Sequence, residues 1–294
     1  LNDIRQSHRN EVLDNKNQTN QTNQQILNRM KLNNLLKTLG FLALAINASA
    51  GTGGGKAPAP VAPCCTPEET LGVDLSVGYD SSLIFRGVDL ADNWVSTDLN
   101  LVVPLVDTVS LHAGASYGVS ADDRGADTGG ISYQRLELNA GLSFDLGAAD
   151  LGVGYRFYQH EGDLSAILDD TNEVGITLAT TAGPVNLGVG TYYDITGEGW
   201  YFEVAANTEV KINDSISLVP GVSIGYGVDY TWQISGANVG DGFTAVGLSL
   251  AMPIKLTKSA TLTPYVAGNL PIDALDDAGE ESQVYGGVSL SVKF

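Results

Sequence analysis

The stretch "RLELNAGLSFDL", residues 135 to 146, alternates without a break. Leu136, Leu138, Ala140, Leu142, Phe144 and Leu146 fall on one face, and Arg135, Glu137, Asn139, Gly141, Ser143 and Asp145 on the other. Side chains of an extended chain point to opposite sides with period two, so this is a strand with one face suited to hydrocarbon and one to water.

Working outward, the same split recurs. Leu71, Val73, Leu75, Val77 and Tyr79 oppose Asp74, Ser76 and Asp80. Leu151, Val153, Tyr155 and Phe157 oppose Gly152, Gly154, Arg156 and Tyr158, and Trp200, Phe202, Val204 and Ala206 oppose Tyr201, Glu203, Ala205 and Asn207. About twelve such segments of roughly ten residues run from Leu71 to the end, the signature of a transmembrane barrel. No segment repeats apolar residues at three and four over a window long enough for a helix. The expected fold is therefore all-β, a transmembrane antiparallel β-barrel of about twelve strands.

The connections carry an independent signal. Tight turns near 106, 148, 182, 213 and 257 alternate with longer polar loops such as "SADDRGADTGG", "HEGDLSAILDDTN", "DYTWQISGANVGDG" and "IDALDDAGEES". Short turns on one side and long loops on the other is the outer-membrane arrangement, whereas a sandwich mixes loop lengths at both ends. With an even strand number both termini lie on the short-turn, periplasmic side. The last segment, "QVYGGVSLSVKF" (283–294), is itself a strand that stops on Phe294. Such an edge calls for a partner, which closure onto the first strand provides. Tyr79, Tyr117, Tyr155, Phe157, Tyr193, Trp200 and Tyr226 lie toward the long-loop ends, and Phe144 and Phe294 toward the short-turn ends, as interface girdles would.

Composition sets the boundaries. The 294 residues carry a formal charge of -19 and 35 glycines. So negative a chain is unsuited to nucleic acid, whose phosphates need Lys and Arg, and a disordered acidic chain would lack the continuous apolar faces. Residues 1–29 are rich in Asn and Gln and lack periodicity; they read as an extension ahead of a start at Met30, or as a disordered leader. In "MKLNNLLKTLGFLALAINASAG" a basic n-region with Lys31 and Lys37, a short apolar core and Ala48-Ser49-Ala50 make residues 30–50 a secretory signal peptide, too short to span a bilayer. Residues 51–70 are a Gly/Pro-rich linker. It holds Cys64 and Cys65, whose adjacency makes a poor zinc site and fits exposed thiols or a local disulfide. Residues 71–294 form the barrel.

Near the end of the first strand stands "SSLIFRGVDL", residues 81 to 90. It resembles the serine, aromatic, Phe-Arg-Gly motif of the porins known as the TorF family. Phe85, Arg86 and Gly87 match, Ser81 or Ser82 supplies the serine, and Leu83 stands where the family usually has Tyr. The likeness extends loosely to "GWYFEVAA" and to the terminal Phe294. It implies a small bacterial outer-membrane barrel that conducts solutes, with no firm substrate. The aromatic terminus also resembles the signature by which the outer-membrane assembly machinery recognises its clients.

Chemistry finds little support. His112 lies on a mid-strand polar face and His160 at a loop base, neither within a G-x-S-x-G motif. A hydrolase would need one of them beside a reactive serine. Asp122, Asp123 and Asp127 invite a calcium reading, but the order of an EF-hand loop and its closing Glu are missing. Glycine-rich stretches such as "GVSIGYG" precede no helix that would hold a phosphate. No catalytic, cofactor or metal site is expected.

What remains is the inner surface. Asp74, Asp98, His112, Glu137, Glu173, Asp194, Glu203 and Glu209 project toward a lumen with Arg135, Arg156 and Arg86. Carboxylates outnumber guanidiniums, and acidic rings favour cations. The same charges can instead pair and fill the barrel, and both readings stand. The partners expected are outer-membrane lipid and lipopolysaccharide, the assembly machinery, and small solutes or ions; the sequence sets no oligomeric state.

Overall fold

The alternating segments are the strands. Twelve long ones follow in chain order: β1 (Val73–Phe85), β2 (Val88–Val106), β3 (Val109–Ser120), β4 (Tyr133–Asp145), β5 (Asp150–Gly162), β6 (Thr171–Ala182), β7 (Val185–Asp194), β8 (Gly199–Thr208), β9 (Ser217–Val228), β10 (Gly242–Ala251), β11 (Ala260–Pro271) and β12 (Gln283–Lys293). Two-residue strands at Val210–Lys211 and Ile254–Lys255 prolong the hairpins that lead into β9 and β11. The structure is a computed structural model and describes residues 72–121, 132–166, 168–230 and 240–294. The segments read as signal peptide and linker, Cys64 and Cys65, and Asp122, Asp123 and Asp127 lie outside the described residues.

Each strand pairs antiparallel with the next, and β12 returns to β1, so the sheet closes. The closing register runs from Asp74 opposite Lys293 to Asp80 opposite Gly287. At the very end the Phe294 N–H donates to the Val73 carbonyl at 2.9 Å. The terminal strand thus has both neighbours, and no edge is left to recruit a second chain.

Alternation sorts the faces. Val77, Val153, Ile176, Val189, Val204 and Leu248 look outward and are exposed, forming an apolar belt. Residues between them look inward and are mostly buried or half-buried. Tyr79, Tyr117 and Tyr155 stand outside, their hydroxyls donating to Asn93, Gln134 and Asn172. Such rings, apolar in body and polar at the tip, suit a membrane interface.

The start of β1 and the end of β12 share one end of the barrel with the connections 107–108, 146–149, 183–184, 209–216 and 252–259. Longer links occupy the other end. They carry a 3-10 turn at Asp163–Ala166 and a one-turn helix, α1 (Ala274–Asp277), whose Leu275 is fully buried. Two links at that end are short, residues 86–87 and 195–198.

The first of these short links reshapes the interior. β1 pairs with β12 only as far as Asp80, and β2 pairs with β3 only from Trp94. Between them, residues 82–92 pair with each other alone, across a register shift at Leu83/Ile84, while the Asn93 carbonyl accepts the Ala121 N–H at 2.8 Å. Ser81 Oγ accepts the Gly286 N–H at 3.1 Å where the ladder with β12 ends. Released from both neighbours, the ribbon leans into the barrel. Leu83, Ile84, Phe85, Arg86, Val88, Leu90 and Ala91 are all buried.

Arg86 (φ 53) and Gly87 (φ 95) form its turn, both in the left-handed region that two-residue hairpins require. A β-carbon on Gly87 would lie 2.6 Å from a Leu275 methyl and 2.8 Å from the Ala245 Cβ, so this position has room for glycine alone.

Candidate functional site

The lumen is built in two storeys. The one toward the long loops is packed. Leu83, Phe85, Val88, Leu90 and Ala91 of the ribbon meet Trp94, Tyr133, Tyr158, Leu164, Tyr192, Tyr201, Tyr230 and Leu275 in one apolar cluster. Trp94, Tyr133 and His160 stack in sequence, with centroids 5.6 and 5.9 Å apart, and Phe85 meets Tyr158 edge-on at 5.5 Å. Burying a side chain of this size is worth about 1.5–3 kcal/mol, so several of them hold the ribbon in place.

Charges sit inside this aromatic lining. Arg86 pairs with Glu173 at 2.6 Å, both almost without exposure, and donates to the Tyr230 hydroxyl. Its guanidinium also lies over the rings of Phe85, Tyr192, Tyr201 and Tyr230, from 4.4 Å for Tyr201 to 5.1 Å. Cation–π attraction strengthens where water is excluded, as here. Arg156 lies between Glu137 at 3.7 Å and Glu173 at 3.8 Å, with the Tyr158 hydroxyl 3.4 Å away. The Arg135 guanidinium also lies over the Phe85 ring, at 4.9 Å. Glu203 is buried beside Tyr201 and in the field of Arg86 and Arg156. The three arginines among the described residues, Arg86, Arg135 and Arg156, therefore all lie inside the barrel.

Toward the short turns the lining is smaller and more polar. Asp98 accepts from Ser76 at 2.9 Å and from Ser116 at 2.7 Å. At the base of the ribbon, opposite Trp94, Asp80 accepts from Tyr265 at 2.7 Å. His112, Asn139, Thr177 and Tyr192 line a recess that reaches up to Arg156 and Glu173.

The residues singled out from the sequence are placed as follows. Arg135, Glu137, Arg156, Glu173 and Glu203 come together with Arg86 in the packed storey. Asp74, Asp98 and His112 lie on inward faces nearer the short turns. Asp194 sits at the long-loop rim, where its carboxylate accepts the Thr196 and Gly197 N–H groups at 2.8 and 2.9 Å. Glu209 sits at the opposite rim, accepting from Ser217 at 2.6 Å. Phe85, Arg86 and Gly87 form the ribbon tip, and Phe294 is half exposed at the barrel's end.

Sequence reasoning missed the aromatic cage of Tyr133, Tyr192 and Tyr230. It also missed the ribbon's tethers. Asn269 donates to the Gly87 carbonyl at 2.7 Å, Gln283 donates to Asp89 at 2.8 Å, and Glu280 accepts the Asp89 N–H. Glu280 lies in the loop before β12, and burial holds its carboxyl above the usual range.

One chemical pair does form. His112 Nε2 lies 2.6 Å from Ser143 Oγ, a serine supplied by the neighbouring strand. His160 instead meets the Tyr133 hydroxyl at 2.6 Å. Ser143 sits within the ladders near their short-turn end, opposite Ser110 and Gly152. An oxyanion needs donors aimed at it, and a continuous sheet gives none beside this serine.

This fold and lining define a closed, twelve-stranded antiparallel barrel of the outer-membrane class. It is similar to a solved outer membrane channel from Pseudomonas putida F1, with 16% identity and a TM-score of 0.51 over 79% of this chain and 100% of that one. It is less similar to a KdgM porin, at 7% identity and a TM-score of 0.46 over 75% of this chain and 99% of that one. The outer membrane phospholipase of Salmonella typhi stands at 14% identity and a TM-score of 0.45 over 78% of this chain and 94% of that one. At these identities the likeness fixes architecture alone. No family model and no curated protein matches the chain.

Proposed function

We propose that the chain is a porin-like channel of a bacterial outer membrane, passing small solutes passively with a modest preference for cations. The observation that carries this reading is the charged lumen. A barrel serving only as a scaffold has no need of three buried arginines and a larger set of inward carboxylates. The TorF resemblance at Phe85, Arg86 and Gly87 points the same way, since that motif lies within the lumen. Carboxylates at Glu137, Glu173, Glu203, Asp80 and Asp98 outnumber the arginines, so the net field along the path favours positive solutes.

Conductance of the folded protein in a planar bilayer under a salt gradient tests it. Replacing Glu137 and Glu203 together by glutamine is expected to lower the cation-to-anion permeability ratio by about half or more. An unchanged reversal potential would remove these residues from the path.

A second reading is favoured by the ribbon. Residues 81–91 occupy the upper lumen, as in a plugged barrel whose loops serve structure or adhesion. Silence from a demonstrably folded barrel would select it. Hydrolysis is a third possibility, set by His112 and Ser143. A fluorophosphonate probe is expected to leave Ser143 unlabelled, because the serine lacks an oxyanion site; stoichiometric labelling abolished by Ser143→Ala would make the protein an enzyme.

A further inference from the structure

The inturned ribbon differs from the rest of the lining in how it is held. The wall is secured by ladder hydrogen bonds on both sides of every strand, and residues 82–92 have none to the wall strands beyond their base. A two-stranded ribbon by itself is marginally stable in water. Its position rests on the apolar packing of Leu83, Phe85, Val88, Leu90 and Ala91 and on a short set of side-chain tethers: Arg86 to Glu173 and Tyr230, Asn269 to the Gly87 carbonyl, and Gln283 and Glu280 to Asp89. All of these can part without breaking one ladder bond of the wall. The register shift at Leu83/Ile84 and the exit from the β12 ladder at Ser81 mark the place where the ribbon bends.

The ribbon also carries charge. Arg86 is the cation facing Glu173 and lies in the field of Glu203. Moving it toward the loops takes a fixed positive charge out of the packed storey and leaves those carboxylates with Arg156 and Arg135.

We propose that the tip of the β1–β2 hairpin is a hinged gate, latched by Arg86 on Glu173, whose outward swing opens the lumen and makes the open path more cation-selective. This inference rests on the channel reading above. The ribbon is then the moving part of the channel, and Gly87, fitted against Leu275 and Ala245, is its seat.

A reducible cross-link tests the motion. Asp89→Cys with Gln283→Cys, which joins the ribbon to β12, is made in the full chain carrying Cys64→Ser and Cys65→Ser. The native side chains touch at 2.8 Å, so a short bis-methanethiosulfonate bridges the two thiols through disulfides to give the oxidised form, and a reductant releases it. Folding of each form is checked by heat-modifiable mobility on gels. In planar bilayers the oxidised form is expected to lose its openings at least tenfold, and reduction is expected to restore them. Glu173→Gln, which removes the latch, is expected to raise the open fraction at least tenfold, and Arg86→Gln, which removes it while keeping every lumen carboxylate, is expected to shift the reversal potential toward cation selectivity. Equal conduction by oxidised and reduced forms would overturn the gate while leaving the channel intact. Absence of openings in the wild type, the reduced double variant and Glu173→Gln alike would overturn both.

Discussion

Arg156→Met is expected to destabilise the barrel by about 3–5 kcal/mol, the usual cost of breaking a buried ion pair from one side. Arg156 lies on a wall strand, buried, with Glu137 and Glu173 at 3.7 and 3.8 Å. Methionine replaces the volume and removes the charge, leaving two carboxylates in the low-dielectric lumen with one cation fewer. These groups belong to β4, β5 and β6, so they cannot escape to water as a loop would. The measurement is urea unfolding in lipid vesicles, followed by tryptophan fluorescence. Glu137→Gln in the same background should recover part of the loss, because the repelling partner then disappears as well. A cost below about 1 kcal/mol would mean that bulk water already reaches this layer and screens it.

That layer was only partly legible in the sequence. Alternation assigns Arg135, Glu137, Arg156 and Glu203 to inward faces because the side-chain period of a strand is two. It does not say which of them share a level, since levels depend on register between strands. The pairing of Glu137 with Tyr158 and of Arg156 with Glu173 across the ladders is what assembles the layer. The same gap hid His112 and Ser143, whose diagonal contact across β3 and β4 exists only in one register.

The ribbon left a clearer trace. In "SSLIFRGVDLA" the apolar residues Leu83, Ile84 and Phe85 stand side by side, followed by Val88, Leu90 and Ala91. A wall strand of a barrel needs one lipid face and one lumen face, so an unbroken apolar run fits a segment buried on both sides. All six residues are buried. Here the break in alternation marks the departure from the wall. Barrel closure was legible from the terminal strand and the alternating loop lengths. The short links at 86–87 and 195–198 are exceptions on the long-loop side, and the first is short because its hairpin turns inward.

Val189→Arg is expected to cost about 2–4 kcal/mol in a bilayer, against about 0–1 kcal/mol for Leu146→Arg at the short-turn rim. The two residues are comparably exposed, at 51% and 60%. Exposure alone would predict equal and small effects, as for any surface position of a water-soluble protein. Depth distinguishes them. Val189 is the fifth of ten residues in β7, opposite Leu178 and Val204, themselves 44% and 51% exposed. Leu146 follows the last residue of β4, in a turn from which a guanidinium reaches headgroups and water. Unfolding both variants in vesicles of fixed composition, beside the wild type, gives the difference directly. A gap near 2 kcal/mol or more means that the belt of Val77, Val153, Ile176, Val189 and Val204 meets hydrocarbon. Equal small losses would mean that this face meets water and that the belt does not mark a membrane span.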